Sequence, residues 1–388
     1  MFESRLGKKI PSITVETGNE LKQSDNLDEP VNRWVLEAFN VLGVDFVNTT
    51  SGDLLRLNRL VQSGAAQASS IRPQYVATML RDGEKPQFPV KTYQVKKVTS
   101  SSGEEVRVGV LGLSSDSTAG DSEDYETVLR KILPEVERQS DIVIVLSRVR
   151  DDDLFRLAAQ FPGIDVIING SSTGEGREFP KAGNAVIVES ARKGIGLGVL
   201  ELEWDQKGHV TTFKNEIVPL PPMIPDQPAL AAVVDKAKQE WGRAEEELIR
   251  KTPPPPADAS SPFAGSAACK DCHDKAYQAW QKSGHARSFE RLKGADRLDA
   301  ACLRCHTTAY GFTGGFVNIV WTPRMASVHC EACHGESADH AKDPRIFPGP
   351  KAVRGPGRQV GKQYCLRCHD LDNSPSFKYE EYWPKIAH

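Results

Sequence analysis

The feature that constrains this chain most is a five-residue motif, Cys-x-x-Cys-His, that occurs four times. The copies use every cysteine of the chain: Cys269-Lys-Asp-Cys272-His273, Cys302-Leu-Arg-Cys305-His306, Cys330-Glu-Ala-Cys333-His334 and Cys365-Leu-Arg-Cys368-His369. This motif is the attachment signature of haem c, in which two thiols form thioether bonds to one porphyrin and the histidine coordinates its iron. The sequence therefore predicts four covalently attached haems.

Two other uses of paired cysteines fit this pattern poorly. Zinc ribbons also contain Cys-x-x-Cys pairs, but zinc gives no reason for a histidine after every pair. A disulfide framework predicts irregular spacing rather than four equal repeats. Haem attachment is the interpretation that accounts for all four motifs.

Histidine usage divides the 388-residue chain. Only one of the nine histidines, His209, precedes residue 270, and the other eight lie in the last third of the chain. Between the two parts, the spacing of apolar residues predicts a helix over residues 228–250. Four prolines from Pro253 follow it as a short polyproline II spacer. We predict a first domain over 1–223, a helix and linker over 224–262, and a haem domain over 263–388.

Residues 1–223 alternate between strand and helix patterns, which predicts an α/β fold with a packed sheet. Short buried strands are predicted over residues 12–16, 44–48, 106–113, 141–147, 165–169 and 185–189. Helical periodicity is clearest over residues 31–42, and further helices are predicted near 123–139 and 152–160.

The order of these segments resembles the metallophosphoesterase fold of 5′-nucleotidases. The matching segments are Ile13–Asn19, Leu42–Asp53, Val145–Arg148 and Gly163–Thr173. The family's metal-binding positions are occupied here by Asn19, Ser51, Gly52, Arg148, Ser171 and Thr173. A two-metal hydrolase needs carboxylate and imidazole ligands. The resemblance therefore implies a sandwich-like α/β scaffold or docking surface, and we predict no phosphohydrolase activity and no enzyme. A redox-regulated nucleotidase is an alternative hypothesis for the whole chain.

Residues 263–388 resemble the tetrahaem cytochrome c family that accepts electrons from hydroxylamine oxidoreductase. The shared segments are Trp280-Gln-Lys-Ser-Gly-His285-Ala, Cys305–Gly315, Val328–Gly335 and Tyr382–His388. This resemblance implies a mainly α, loop-rich multihaem domain that exchanges electrons with redox protein partners.

The histidines of this domain match the number of axial positions. Four haems with two axial imidazoles each need eight histidines, and the domain contains eight. Those of the motifs are His273, His306, His334 and His369, which leaves His285, His329, His340 and His388 as distal candidates. The resemblance implies that His340 serves the haem of His273. It favours His285 for the haem of His334 and His388 for that of His369, although the sequence leaves this order open.

His329 decides whether each of the four irons has two axial histidines. In the resembled family the second haem, here that of His306, is five-coordinate, and no histidine stands at the position of His329. We predict that His329 caps this haem, with Met325 as a weaker candidate, so that all four haems are bis-histidine. A six-coordinate iron mainly passes electrons, whereas a five-coordinate iron can bind a small ligand at its open position.

The balance of charge gives no sign of a nucleic-acid partner. From Ala257 onward there are 18 Lys and Arg against 14 Asp and Glu. The propionates of four haems would more than cancel this excess. No apolar run is long enough to cross a bilayer. Residues 1–10 do not resemble a signal peptide, yet haem c is attached outside the cytoplasm, so we expect an export signal missing from this sequence and a periplasmic or extracellular protein.

These observations predict a multihaem c-type cytochrome that carries single electrons between redox partners. The alternative is a haem enzyme that reduces or oxidises a small nitrogen or sulfur oxide at a five-coordinate haem of His306. A structural role, as one protomer of a homo-oligomer or haem-bearing assembly, is a further hypothesis.

Overall fold

The computed structural model of the protein describes most of the chain. The described residues are 12–21, 28–79, 85–100, 103–114, 125–171, 179, 183–189, 194, 196–205, 210–221, 223–255, 261–346, 360–370, 373–374 and 376–388. The chain divides into two compact units, Met1–Ala237 and Lys238–His388. This division falls within the segment 224–262 that the sequence predicts as a helix and linker. His209, Thr173 and residues 256–260 lie outside the described residues.

The first unit contains two sheets and a separate hairpin. Its strands are β1 (Val15–Glu16), β2 (Phe46–Asn48), β3 (Gln74–Val76), β4 (Val90–Lys91), β5 (Tyr93–Thr99), β6 (Glu105–Ser114), β7 (Ile142–Arg148), β8 (Val166–Asn169), β9 (Val186–Glu189), β10 (Gly196–Trp204) and β11 (Val210–Pro219). Strands β1 to β4 form one parallel sheet in chain order. Strands β5 to β9 form the other, in which only the β5–β6 pair is antiparallel. The antiparallel hairpin consists of β10 and β11.

The two sheets face each other and helices cover them. Because successive strand residues point to opposite faces, Phe46 packs against the second sheet while Val47 packs against helices. The helices of this unit are α1 (Asp28–Leu42), α2 (Ser51–Gln62), α3 (Tyr125–Gln139) and α4 (Asp151–Gln160). Helices α1 and α2 share a buried apolar cluster with β2 and β3, and α3 and α4 share another with β6 to β9. The α/β sandwich predicted from the sequence is confirmed.

Each strand and helix predicted over residues 12–189 is present within a few residues of its expected bounds. Strands β3, β4 and β5 were not predicted. β3 and β4 have only three and two residues, too few for a periodic pattern. β5, Tyr93–Thr99, is largely polar because it lies at the edge of its sheet. Short edge strands of this kind carry little hydrophobic signal.

The second unit is built from short helices and loops. The boundary between the two units lies within the long helix α5 (Pro228–Lys251). The helices that follow it are α6 (Asp274–Lys282), α7 (Ala300–His306), α8 (Cys330–His334), α9 (Ala338–Lys342), α10 (Lys362–Cys365) and α11 (Tyr379–Tyr382). A small apolar cluster at its centre includes Phe263, Phe289, Leu303, Phe316 and Met325. Among the described helices, none combines the length and the apolar character that a bilayer crossing requires.

Glu331 fixes the start of this unit to the third motif. Its carboxylate is fully buried and accepts hydrogen bonds from the backbone amides of Ala264, Gly265 and Ser337 at 2.8, 2.8 and 3.0 Å. Three charge-assisted bonds of this kind offset the cost of burying the carboxylate. Glu331, which lies between Cys330 and Cys333, therefore joins residues 264–265 at the start of the unit to the third motif and to Ser337.

Glu20 in the first unit offers a test of the fold. Both of its carboxylate oxygens are buried and form no hydrogen bond to another of the residues that the structure describes. Burial, and then the nearby Asp53, raise the pKa of Glu20 well above its ordinary value. The folded state therefore retains a proton that the unfolded chain releases above about pH 4.3, so that rising pH destabilises the fold until the folded-state pKa is passed.

We predict that Glu20→Gln stabilises the first unit by about 1–3 kcal/mol at pH 8 and by much less at pH 4. Hydrogen exchange of the buried amides in β2 and β3, corrected for intrinsic rates, measures the local free energy of opening. Glu201→Gln, on an exposed position of β10, is the matched control. An equal effect of Glu20→Gln at both pH values would contradict the assignment of a raised pKa.

Candidate haem sites

Each Cys-x-x-Cys-His motif lies on a helical turn or at its end. The second and third motifs lie in α7 and α8, and the fourth begins at the last residue of α10. In the first and fourth motifs the histidine amide donates to the carbonyl of the first cysteine, with distances of 2.9 Å for His273 and 2.8 Å for His369. Residues i, i+3 and i+4 of a helical turn share one face. This geometry places both thiols and the imidazole of a motif on the same side.

Three of the motif histidines face a second imidazole. The ring centres of His273 and His340 are 6.2 Å apart, those of His285 and His369 are 6.0 Å apart, and those of His334 and His388 are 5.8 Å apart. A metal–imidazole bond of about 2 Å, with the nitrogen about 1 Å from the ring centre, puts two rings on opposite sides of one metal about 6 Å apart. The three pairs therefore fit bis-histidine haem iron.

The pairing corrects one expectation from the sequence. His340 faces His273 as expected. The order favoured for the other two is reversed, because His285 faces His369 and His388 faces His334. Both distal histidines are far in sequence from the histidines that they face. Their positions are therefore set by the packing of the whole unit, which local motifs do not report.

His329 has no free ring nitrogen. Its Nδ1 atom lies 2.9 Å from the hydroxyl oxygen of Ser266, and its Nε2 atom lies 2.7 Å from the carbonyl oxygen of Ala326. Its ring also packs 5.2 Å from that of Trp280. An imidazole whose two nitrogens are both hydrogen-bonded cannot coordinate iron without breaking one of these contacts. These contacts do not support the prediction that His329 caps the haem of His306, which stays a prediction.

His306 lacks a facing imidazole in the part of the chain that the structure describes. Its Nδ1 atom lies 2.7 Å from the carbonyl oxygen of Ser288, which leaves Nε2 for iron. Met325, the weaker candidate, is fully buried in the apolar cluster with Phe289 and Phe316. The four motifs thus provide three paired imidazoles and one unpaired imidazole.

Burial keeps several of these imidazoles in the neutral form that metal binding requires. It lowers the pKa of His285, of His369 and of His329 below the ordinary value for histidine. Neutral imidazole is the ligand form, because protonation would occupy the nitrogen that binds iron. Of these three, only His285 and His369 have a facing ring at bis-histidine spacing.

Cysteines of different motifs lie side by side. The thiols of Cys269 and Cys330 are within hydrogen-bonding range, and so are those of Cys305 and Cys368. Within each pair the shared hydrogen bond lowers the pKa of one thiol, Cys330 or Cys305, and raises that of its partner. These contacts bring the first motif next to the third and the second next to the fourth.

Ser288 joins the second motif to the distal ligand of the fourth. Its carbonyl accepts from His306, as above, and its hydroxyl lies 3.1 Å from the carbonyl oxygen of His285 and accepts from the amide of Val328 at 2.9 Å. The residue is buried. One buried serine, three residues after His285, therefore fixes ligands of two different haem sites relative to each other.

Known proteins match the second unit in the same region. Residues 268–335 match the family described as cytochrome c554 and c-prime. Cytochrome c-554 of Nitrosomonas europaea is 30% identical over 145 residues, which cover 30% of this chain and 62% of that protein. The second unit resembles a multihaem cytochrome c. The resemblance stated from the sequence is confirmed, and covalently bound haem c is supported for this unit.

The first unit matches solved structures of a different kind. The sulfate thiohydrolase SoxB of Thermus thermophilus is 19% identical with a TM-score of 0.50, covering 62% of this chain and 45% of that one. The 5′-nucleotidase precursor of Thermus thermophilus is 18% identical with a TM-score of 0.50, covering 62% and 52%. This chain thus spans about half the length of either structure. At these identities the matches show the metallophosphoesterase-like fold.

The prediction that the chain is not an enzyme is corrected by these matches. Both structures that share the fold of the first unit are named as enzymes, a thiohydrolase and a nucleotidase. The fold therefore carries hydrolytic activity in other proteins and gives no ground for classing this chain as a non-enzyme.

The positions that differ from the metallophosphoesterase pattern have structural contacts here. The backbone amide of Asn19 donates to the Asp53 carboxylate at 2.7 Å, and Asp53 also forms a capping box with Thr50 at the start of α2. The Arg148 guanidinium donates to the carbonyl of Gly170. The Ser171 amide donates to the Asn169 side chain at 3.0 Å. Ser51 and Gly52 form the first turn of α2.

We predict that His285→Ala, His340→Ala and His388→Ala each convert one low-spin haem of the purified protein to a high-spin haem. The physical reason is the loss of the second strong-field imidazole at one iron. Absorption and resonance Raman spectra of the oxidised protein measure the spin state. His329→Ala is the matched control and should leave the number of low-spin haems unchanged. A high-spin haem created by His329→Ala would contradict the hydrogen-bonded role assigned to this ring.

Proposed function

We propose that this protein carries single electrons between redox partner proteins outside the cytoplasm, through four covalently attached haems c. The observation that carries this proposal is the set of three imidazole pairs spaced for bis-histidine iron. A closed bis-histidine iron exchanges electrons but has no open position for a substrate. Three such sites in one small unit favour conduction of electrons as the main role.

We assign the haem attachment to the eight motif cysteines, Cys269, Cys272, Cys302, Cys305, Cys330, Cys333, Cys365 and Cys368. Axial ligation is assigned to His273, His306, His334 and His369 from the motifs, and to His285, His340 and His388 from the facing segments. When bound, the haems supply the one-electron redox chemistry. The chain fixes the thioether anchors, orients the imidazoles and sets the surroundings that tune each potential.

Close packing of the motifs supports transfer between sites. The adjacent thiols of Cys269 and Cys330 bring the first and third sites together, and those of Cys305 and Cys368 bring the second and fourth together. Ser288 connects His306 to the segment of His285 through hydrogen bonds. Sites held this close together by side-chain contacts and hydrogen bonds suit a chain of single-electron steps.

The site of His306 supports a second candidate function. Because both ring nitrogens of His329 are engaged, His306 has no imidazole partner among the described residues. A haem held there would have one side available to a small ligand. We therefore retain, as a second candidate, the reduction or oxidation of a small nitrogen or sulfur oxide at the site of His306, fed by the three closed haems.

Location and organisation follow from the same assignment. Thioether attachment of haem c takes place outside the cytoplasm, so we propose a periplasmic or extracellular protein. We retain the division into residues 1–223, a connecting segment 224–262 and a haem domain 263–388. In this proposal the second unit transfers electrons, and an activity or a docking role of the first unit would be additional to that transfer.

We predict that the fully reduced protein binds one carbon monoxide for every four haems. Carbon monoxide takes an open position on ferrous iron and competes poorly with two imidazoles, so only the site of His306 should react. Titration of the reduced absorption spectrum measures the stoichiometry, and His329→Ala should give the same value. No binding would show a closed fourth site, and binding of three or four molecules would overturn the bis-histidine assignment.

The second candidate has a separate test. Stopped-flow mixing of the reduced protein with nitric oxide, nitrite or sulfite measures whether the haems are reoxidised over repeated turnovers when a reductant is supplied. Repeated turnover would support a reaction at the site of His306. Binding without turnover would leave electron transfer as the function of the second unit and exclude the second candidate for these substrates.

A further inference from the structure

Among the proposed axial histidines, His369 differs from three others in the group that contacts its Nδ1 atom. In His306, His340 and His388 the Nδ1 atom lies next to a backbone carbonyl oxygen, with distances of 2.7, 2.7 and 2.9 Å to Ser288, Ile346 and Ile386. In His369 the Nδ1 atom instead lies 2.9 Å from the hydroxyl oxygen of Ser374. The partner of the His369 Nδ1 atom is therefore a side chain rather than the backbone, and it can be changed by mutation.

The identity of this partner affects the iron. When Nε2 binds iron, Nδ1 carries a proton and must donate its hydrogen bond. A stronger acceptor increases the electron density on the imidazole, which favours the oxidised iron and lowers the reduction potential. A neutral hydroxyl accepts more weakly than a peptide carbonyl. Ser374 therefore makes His369 a weaker electron donor than a ligand that is bonded to a carbonyl.

A turn holds the serine hydroxyl in place beside the ring. The amide of Ser374 donates to the carbonyl of Asp370 at 2.8 Å, and the amide of Phe377 donates to the carbonyl of Ser374 at 2.9 Å. Phe377 stacks on His369 with ring centres 4.3 Å apart and an angle of 14°. The turn therefore fixes both the hydrogen-bond acceptor and the aromatic cover of one ligand.

One nearby charge acts in the opposite sense. The Asp370 carboxylate follows His369 directly, and a negative charge near the iron favours its oxidised form. This carboxylate accepts hydrogen bonds from the backbone amide and the side-chain amide of Asn373 at 2.6 and 2.9 Å. These bonds hold it on the turn. Its effect is therefore constant while Ser374 is varied, which makes Ser374 a separable influence on the potential.

We propose that Ser374 is a positioning residue that sets the reduction potential of the haem held by His285 and His369, through its hydrogen bond to the Nδ1 of His369. This inference rests on the proposed function, because it requires a haem between these two histidines. The residue touches neither the iron nor a substrate. Its action passes through the ligand that it orients, and it should affect one haem of the four.

The test is a potentiometric titration of the full-length haem protein and of three variants. Ser374→Asp replaces the hydroxyl with a charged acceptor and should lower the equilibrium constant for reduction of this haem about tenfold, which is about 59 mV for one electron. Ser374→Ala removes the acceptor and should shift the potential upward. Ser374→Thr retains the hydroxyl and should restore the wild-type value. The potential belonging to this haem is the one altered in His285→Ala.

A matched control separates the hydrogen bond from general loosening of the site. Ser283→Ala removes the same atom near the other ligand, where the hydroxyl bonds to the backbone of Trp280 and His285. It should leave the potential unchanged. If electron paramagnetic resonance shows low-spin haem in every Ser374 variant but the potentials do not move, the role of Ser374 is refuted. If the wild-type protein has no low-spin haem that depends on His285, the proposed function itself is wrong.

Discussion

In the proposed assignment, the pairing of imidazoles across iron is the interaction on which the second unit depends. Each motif supplies two thiols and one imidazole from five consecutive residues, but the facing imidazole comes from a distant segment. A metal bond between distant segments closes a long loop and removes conformational freedom from the unfolded chain. With haem bound, three such pairs would act as crosslinks that determine how the short helices of the unit are arranged.

This arrangement explains why the second unit needs so little regular structure. Apart from α5, its helices are no longer than nine residues, and its apolar cluster is small. Metal bonds between distant segments would add to the stability that this small cluster provides. Glu331 and Ser288 provide hydrogen-bonded connections between segments, and the haems would fill the space between the paired rings. In this proposal the haems would be part of the core of this unit as well as its functional groups.

The sequence predicted the local features well because they depend on neighbouring residues. The alternating strand and helix patterns predict the sandwich of the first unit, which is confirmed, and the four motifs predict the attachment residues and the proximal ligands. The distal ligands are harder to predict, since the sequence offers only the count of histidines and a family resemblance that leaves the order of His285 and His388 open. His285 and His388 face the motif histidines in the reverse of the favoured order, and the ligand role of His329 stays a prediction. Neither the reversal nor the engagement of His329 by Ser266 and Ala326 has a sequence signal, because both arise from contacts between distant segments.

The central claim is that three irons have two imidazoles each and one iron has a single imidazole. Integrated electron paramagnetic resonance of the fully oxidised wild-type protein measures it most directly, because it counts low-spin and high-spin ferric haems without added ligands. The account predicts three low-spin haems and one high-spin haem in each chain, after allowance for coupling between neighbouring irons. Four low-spin haems, or fewer than three, would contradict it.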